Sequence, residues 1–106
     1  MTENQIIDRA RLLLTDYEIE HFLVIDNKTG RYLKFKGGID TCSFNLKEIT
    51  DFVENDVWVA HNHPANNLRF SLCDFSTTSK IRGRIEKVGY KLTGHILLTE
   101  KDFKVM

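Results

Sequence analysis

The sequence is poor in cysteine and proline and has no long apolar run. Its 106 residues include two cysteines and one proline. Two cysteines without an export signal favour free thiols, so we expect no disulfide between Cys42 and Cys73. No apolar stretch approaches the ~18 residues that cross a bilayer. The polar start "MTENQIIDRA" also lacks the layout of a secretion signal, and we therefore expect a cytoplasmic protein without membrane contact.

An excess of charge of either sign is also missing, since 15 basic side chains balance 15 acidic ones. A neutral chain has no long-range attraction for nucleic acid or anionic lipid, which argues against a nucleic-acid partner. Hydrophobic residues make up 42% of the chain and charged residues 28%. This composition is typical of a globular protein and excludes a disordered one. The length fits one domain, residues 1–106.

Hydrophobic spacing in the first half predicts a helix, a hairpin and a second helix. The first helix, over residues 2–16, begins at a capping box that involves Thr2. Strands over 20–26 and 31–37 flank the turn "NKTG", where positive φ is favourable. Asn45 then caps "LKEITDFVEND".

The second half predicts a buried strand, a long helix and two final strands. "VWVAHNH" (57–63) is apolar enough to be buried on both faces of a sheet, and Pro64 ends it. Ser71 begins a helix that Gly89 terminates. The residues expected on its inner side are Phe75, Thr78, Ile81, Ile85 and Val88. The element order predicts an α/β (α+β) fold, with one mixed sheet covered by helices.

The segment "HNHPANNLRFSLCD" (61–74) contains a candidate metal site. His61 and His63 project from the same side of a strand because side chains alternate. Asp74, in the first turn of the next helix, completes a set of two imidazoles and one carboxylate. Zinc held by three protein ligands keeps a fourth position for water, as in catalytic sites. Cobalt, nickel or iron also suit these ligands, and the sequence does not rank them.

Each of these residues also has a structural explanation. A histidine near a strand end is commonly a polar residue at a boundary. Asp74 matches the acidic partner of a capping box with Ser71. A separate candidate, a basic patch between Lys80 and Lys87 that could bind nucleic acid, is also typical of a solvated helix face.

The spacing His61-x-His63-Pro64, six residues, Ser71, two residues, Asp74 resembles the signature of the JAMM (JAB1/MPN) metalloproteases. The form "HNHP" is similar to the RadC branch, as are "EHFLVIDNKTG", "FNLKEI" and "GHILL". The resemblance covers about residues 18–106, with the first helix leading into this core. It implies a JAB1/MPN-like (cytidine-deaminase-like) fold and a bound Zn²⁺ held by His61, His63 and Asp74.

The sequence departs from the RadC pattern at several positions. Ala65 and Asn66 replace the Ser-Gly that usually follows the proline. Phe70 and Gly94 replace a proline and an aspartate. Full-length RadC proteins also carry a helix-hairpin-helix region that this sequence does not contain. The three ligand positions are intact, so the changes bear on the substrate cleft and on any role shared with RadC proteins. The pattern "HNHP…FSxxD" also resembles small domains attached to phage head and toxin proteins, which leaves a phage or a cellular origin open.

The resemblance implies a hydrolase of peptide or isopeptide bonds in which a glutamate activates a metal-bound water. Glu20, at the start of the first strand, matches the family's general base, with Glu18 as the alternative and Glu48 a distant third. An exposed strand-end carboxylate is the structural explanation for Glu20. Ser71 resembles the serine that stabilises the oxyanion, although a helix N-cap competes for its hydroxyl.

Two other function classes compete with the metallopeptidase hypothesis. One is a non-catalytic metal-binding domain that recognises a partner, associated with phage or with DNA repair. The other is a nuclease or repair factor, which the neutral charge disfavours. The metallopeptidase hypothesis implies a protein or peptide substrate, with ubiquitin-like proteins as one candidate class. The oligomeric state is left open.

Four further residues receive structural interpretations. Trp58 is expected in the core beside the site, and Cys73 is expected to be buried as a small apolar residue. An ordinary strand position is favoured for His95 over a place near the metal. His21 receives no functional interpretation.

Overall fold

The computed structural model describes residues 1–36, 45–63, 68–70 and 72–106, which contain three helices and five strands. In chain order these are α1 (Glu3–Leu13), β1 (His21–Asp26), β2 (Tyr32–Lys36), α2 (Leu46–Phe52), β3 (Val57–Asn62), α3 (Leu72–Lys87), β4 (Leu92–Leu98) and β5 (Phe103–Val105). The predicted element order and α+β class are confirmed. No helix in these ranges is long and apolar enough to cross a membrane.

The strands form one mixed sheet in the order β2-β1-β3-β4-β5. β3 and β4 are parallel, and the other neighbouring pairs are antiparallel. β3 lies in the middle of the sheet and all six of its residues are buried, as predicted. Because α3 connects two parallel strands, its N-terminus follows the carboxyl end of β3.

Apolar side chains cover both faces of the sheet. The face that packs on α1 contributes Leu23, Ile25, Trp58, Ala60, Ile96 and Leu98. The opposite face packs on α2 and α3 and contributes Phe22, Val24, Val57, Val59 and Leu92. Side chains alternate along β3, so His61 lies on the same face as Val57 and Val59, toward α3.

Local signals in the sequence set the ends of these elements. Thr2 and Gln5 form both hydrogen bonds of the predicted capping box. The Asn45 side chain accepts the backbone N–H groups of Lys47 and Glu48 in the first turn of α2. Gly30 and Gly89 adopt φ of 76° and 91°, which glycine tolerates without a steric penalty, in the hairpin turn and after α3.

Four positional predictions were wrong. α2, predicted over "LKEITDFVEND" (46–56), ends at Phe52. α1 ends at Leu13 instead of extending to residue 16. Phe75 and Val88 are 49% and 42% exposed, so they do not line the inner side of α3. Trp58 is buried in the core, as predicted, but it lies on the α1 face and not on the face of His61. Residues three apart on a strand point to opposite faces, which explains this error.

Candidate metal centre

The two histidines of "HNHP" converge at the carboxyl end of β3. His61 is fully buried, and His63 directly follows the strand, where its backbone N–H donates to the carbonyl of Leu98. Their Nε2 atoms lie 3.0 Å apart. The strand therefore places two imidazole nitrogens at one point, as expected from their spacing.

Two carboxylates reach the same point from other segments. Asp74, in the first turn of α3, places Oδ1 3.5 Å from Nε2 of His61 and Oδ2 3.7 Å from Nε2 of His63. Glu20, which immediately precedes β1, places Oε1 3.7 Å from Nε2 of His63. The ligand atoms of Glu20, His61 and His63 all lie within 4.8 Å of one another and could hold a metal ion.

The spacing of these atoms fits a small metal ion. Bonds of about 2.0–2.1 Å in a tetrahedral site separate neighbouring ligand atoms by roughly 3.3–3.4 Å. The observed separations of 3.0, 3.5 and 3.7 Å bracket that value. Imidazole nitrogens with carboxylate oxygens suit zinc, iron, cobalt or nickel. The cluster offers two carboxylates beside the two histidines, so either one is placed to be the third ligand.

A buried hydrogen-bond chain extends from His61 into the protein. Nδ1 of His61 lies 2.6 Å from Nε2 of His95, and Nδ1 of His95 lies 2.6 Å from the Thr78 hydroxyl. That hydroxyl donates to the backbone carbonyl of Asp74 at 2.7 Å. Burial of the ring, followed by the proximity of His61, holds the pKa of His95 well below its ordinary value of 6.5.

His95 is thus part of the site, against the ordinary strand position favoured from the sequence. It is 1% exposed and pairs with Val59 in the parallel register of β3 and β4. This pairing places it on the face that carries His61. A histidine in an apolar run such as "GHILL" was the available signal, but only the register decides which residue it meets.

Asn62, between His61 and His63, points to the other face and binds the segment that carries Glu20. Its Oδ1 accepts the backbone N–H of His21 at 2.7 Å. Its Nδ2 donates to the carbonyls of Asp16 and Ile19, each at 3.0 Å. Asn62 is fully buried, and its bonds fix the backbone on both sides of Glu20.

Aromatic and apolar side chains lie beside the two inner histidines. The Phe70 ring is 6.2 Å from that of His61 and 5.2 Å from that of His95, centre to centre. Phe75 lies 6.1 Å from Phe70, and Leu72 is 87% exposed. The start of α3 therefore presents apolar surface next to the carboxylates and imidazoles.

The other residues considered from the sequence have different surroundings or lie outside the described residues. Glu18 is exposed, with its backbone N–H bonded to Asp16, and Glu48 is exposed on α2. The His21 ring contacts the carbonyl of Ile19 through Nδ1. Ser71, Cys42 and Pro64, for which an oxyanion role, a free thiol and a strand end are predicted, lie outside the described residues. The predicted burial of the Cys73 side chain also falls outside them.

Comparison with known proteins gives a consistent assignment. A family model described as the RadC-like JAB domain matches residues 2–106. Two UPF0758 proteins of Streptococcus pyogenes, from serotypes M3 and M28, are each 27% identical over 112 residues. Each match covers 97% of this chain and 50% of the relative. The chain therefore spans about half the length of the curated relatives it matches.

Proposed function

This chain belongs to the RadC-like JAB domain family, and from that premise we propose that it is a zinc-dependent hydrolase of peptide or isopeptide bonds. The observation that carries the proposal is the convergence of two imidazoles and two carboxylates on one point. A site that holds a metal for structure alone needs no additional carboxylate beside a complete ligand set.

In the proposed site, His61, His63 and Asp74 hold the metal and Glu20 is the general base. The assignment of Asp74 as a metal ligand is supported by its position, since its carboxylate lies near both imidazoles. Its side chain is only 5% exposed. Glu20 contacts His63 and is 24% exposed, so a substrate has access to it. When bound, zinc supplies a Lewis acid and lowers the pKa of a coordinated water to about 7.

Glu20 then accepts a proton from the nucleophile and delivers it to the leaving amine. A base must lie within hydrogen-bond reach of the proton it removes. Oε1 of Glu20 lies near Nε2 of His63, the proposed metal-binding atom. Asn62 fixes the backbone on both sides of Glu20 through its hydrogen bonds. Ser71 is proposed, on the resemblance alone, to donate a hydrogen bond to the developing oxyanion.

The proposed substrate is a protein or peptide, and a ubiquitin-like protein is one candidate. The exposed Leu72 and the half-exposed Phe75 offer contact surface for apolar side chains next to the scissile bond. The balanced charge of the chain argues against nucleic acid as the substrate. The activity of the whole protein remains a proposal, because the relatives are about twice as long.

Metal analysis of purified variants tests the ligand assignment. We expect near-stoichiometric zinc in wild type and in Glu20→Gln, and loss of zinc in His63→Ala and Asp74→Asn. Glu18→Gln is the matched control, since it changes a nearby exposed glutamate. Zinc lost from Glu20→Gln but kept in Asp74→Asn would reverse the roles of the two carboxylates.

Turnover is tested on a library of peptides and isopeptide-linked lysines with the zinc-loaded protein. We expect cleavage by wild type and Glu18→Gln, and at least a 100-fold loss in Glu20→Gln, in line with the usual contribution of a general base. Bound zinc together with undetectable cleavage by wild type would contradict the hydrolase proposal and favour a non-catalytic metal-binding interaction domain.

A further inference from the structure

We infer that Thr78 and His95 are positioning residues that fix the His61 tautomer with its lone pair on Nε2, the atom that faces His63 and Asp74. The inference deepens the proposed function and rests on its metal site, but it does not require hydrolysis. It depends on three contacts, from Asp74 to Thr78, from Thr78 to His95, and from His95 to His61.

These hydrogen bonds run in one direction, because the group at one end of the series can only accept a hydrogen bond. The carbonyl oxygen of Asp74 has no proton, and the Thr78 hydroxyl lies 2.7 Å away. Thr78 has a single hydroxyl proton and must donate it there, since two facing oxygens at that distance otherwise repel. Its oxygen is then the acceptor toward Nδ1 of His95, at 2.6 Å. Nδ1 of His95 therefore carries a proton.

The direction continues from His95 to His61. A neutral imidazole with its proton on Nδ1 has a lone pair on Nε2. Nε2 of His95 accordingly accepts from Nδ1–H of His61, at 2.6 Å. The Nε2 atom of His61, 3.0 Å from Nε2 of His63, is left with a lone pair. The reverse order would place a proton on this atom and block the metal.

Because the residues of this hydrogen-bond series are buried, their mutual hydrogen bonds determine the tautomer of His61. His61, His95 and Thr78 are 0%, 1% and 2% exposed, so water does not compete for their polar atoms. The isoleucines of α3 and the valines of β3 belong to the buried apolar cluster on the same face of the sheet. Partners of ligand histidines commonly set ring orientation and basicity, and their removal costs about 10–100-fold in metal affinity.

The first test is direct and needs no variant. Long-range proton–nitrogen correlation spectra of the metal-free wild type, with ¹⁵N-labelled histidine, distinguish the two tautomers of each ring. We expect a protonated Nδ1 and a bare Nε2 for both His61 and His95. A protonated Nε2 on His61 would overturn the inference.

The second test compares Thr78→Val with Thr78→Ser. Valine keeps the shape of threonine without the hydroxyl, whereas serine keeps the hydroxyl. We expect Thr78→Val to lose the uniform His61 tautomer and to bind zinc about 10–100-fold more weakly in competition with a chelator. Thr78→Ser should restore both readouts to within about threefold of wild type. Unchanged affinity and tautomer in a folded Thr78→Val would contradict the inference.

These readouts separate the inference from the proposed hydrolase. Cleavage is not measured in either test, so an inactive protein that binds zinc and has the expected tautomer leaves the inference standing. If wild type binds no zinc, the proposed function fails while the spectra still decide the tautomer. His95→Leu provides a second variant, with weaker zinc binding expected because the acceptor for Nδ1 of His61 is removed.

Discussion

Replacing Asn62 with leucine should release the segment that carries Glu20. Leucine has nearly the shape of asparagine but can form none of its three hydrogen bonds. The backbone N–H of His21 and the carbonyls of Asp16 and Ile19 would each lose a partner. All three groups lie within four residues of Glu20, so the change acts on the proposed base through its backbone.

The magnitude follows from the number and burial of these bonds. Each hydrogen bond to a neutral group contributes about 1 kcal/mol to stability, and an unsatisfied buried group costs ~1–3 kcal/mol. Asn62 is fully buried, so we expect Asn62→Leu to lower the free energy of unfolding by about 3 kcal/mol. A shift of Glu20 by about 1 Å would lower turnover by roughly 100-fold.

Amide hydrogen exchange measured beside denaturant unfolding checks this reasoning. The His21 amide should exchange much faster in Asn62→Leu than the global loss of stability explains, because its acceptor is gone. Leu23→Ala is the matched control: it removes a buried side chain nearby in β1 and costs a similar ~2–5 kcal/mol. It leaves the His21 acceptor in place. Equal relative protection of His21 in both variants would refute the proposed role of Asn62.

Three further changes have defined outcomes. Gly94→Ala should lower the free energy of unfolding by about 1–3 kcal/mol, because a Cβ there would lie 2.6 Å from Cζ3 of Trp58. An equal loss of stability when Gly94→Ala is made in a Trp58→Leu variant would contradict this steric clash. Hydrogen bonds from Asn55 and from the backbone of Thr29 and Lys28 outweigh burial and lower the pKa of Asp26 below its ordinary 3.8. Its stabilisation is therefore complete above pH 3.8 and is lost as pH falls through the lower folded-state pKa, so the deficit of Asp26→Asn should shrink in acid unfolding curves; a constant deficit would contradict this. Thr2→Ala should cost about 1 kcal/mol in denaturant unfolding by removing the α1 cap; a loss below ~0.3 kcal/mol would show that the cap is not needed.

The elements of the fold were predictable because their signals are local. The capping box at Thr2, the turn at Gly30 and the Asn45 cap each depend on a few neighbouring residues. The convergence of His61 and His63 depends on strand periodicity, which is also local. These features need no knowledge of which strands pair, and the structure has them where the sequence indicates.

The inner face of α3 was not predictable in the same way. Among the side chains that the structure describes in its first two turns, Asp74, Thr77 and Thr78 are buried, whereas the apolar Phe75 is half-exposed. Hydrophobicity assigns Phe75 to the buried face of the helix. In the structure polar residues occupy the buried face near the candidate site, where an ordinary core would have apolar ones. The error therefore falls at the end of the helix that carries the candidate site.

His95 illustrates what pairing adds to sequence. β4 is buried on both faces for most of its length, so alternation of polar and apolar residues does not reveal which face His95 occupies. The parallel register with β3 sets it beside Val59 and brings it to His61. Long-range register of this kind is fixed by the packing of the whole sheet, and no short pattern in "GHILL" encodes it.

The candidate metal site continues the apolar layer between the sheet and α3. Along α3 the buried residues change from Ile85 and Ile81 to Thr78 and Asp74, and along β3 they change from Val57 and Val59 to His61. The apolar end contributes burial energy, while the polar end must satisfy each donor and acceptor internally. Selection for stability alone would favour apolar residues at the polar end, where a satisfied polar network is at best neutral. The hydrogen-bonded histidines and threonine at that end are therefore better explained by a role in the candidate metal site than by stability.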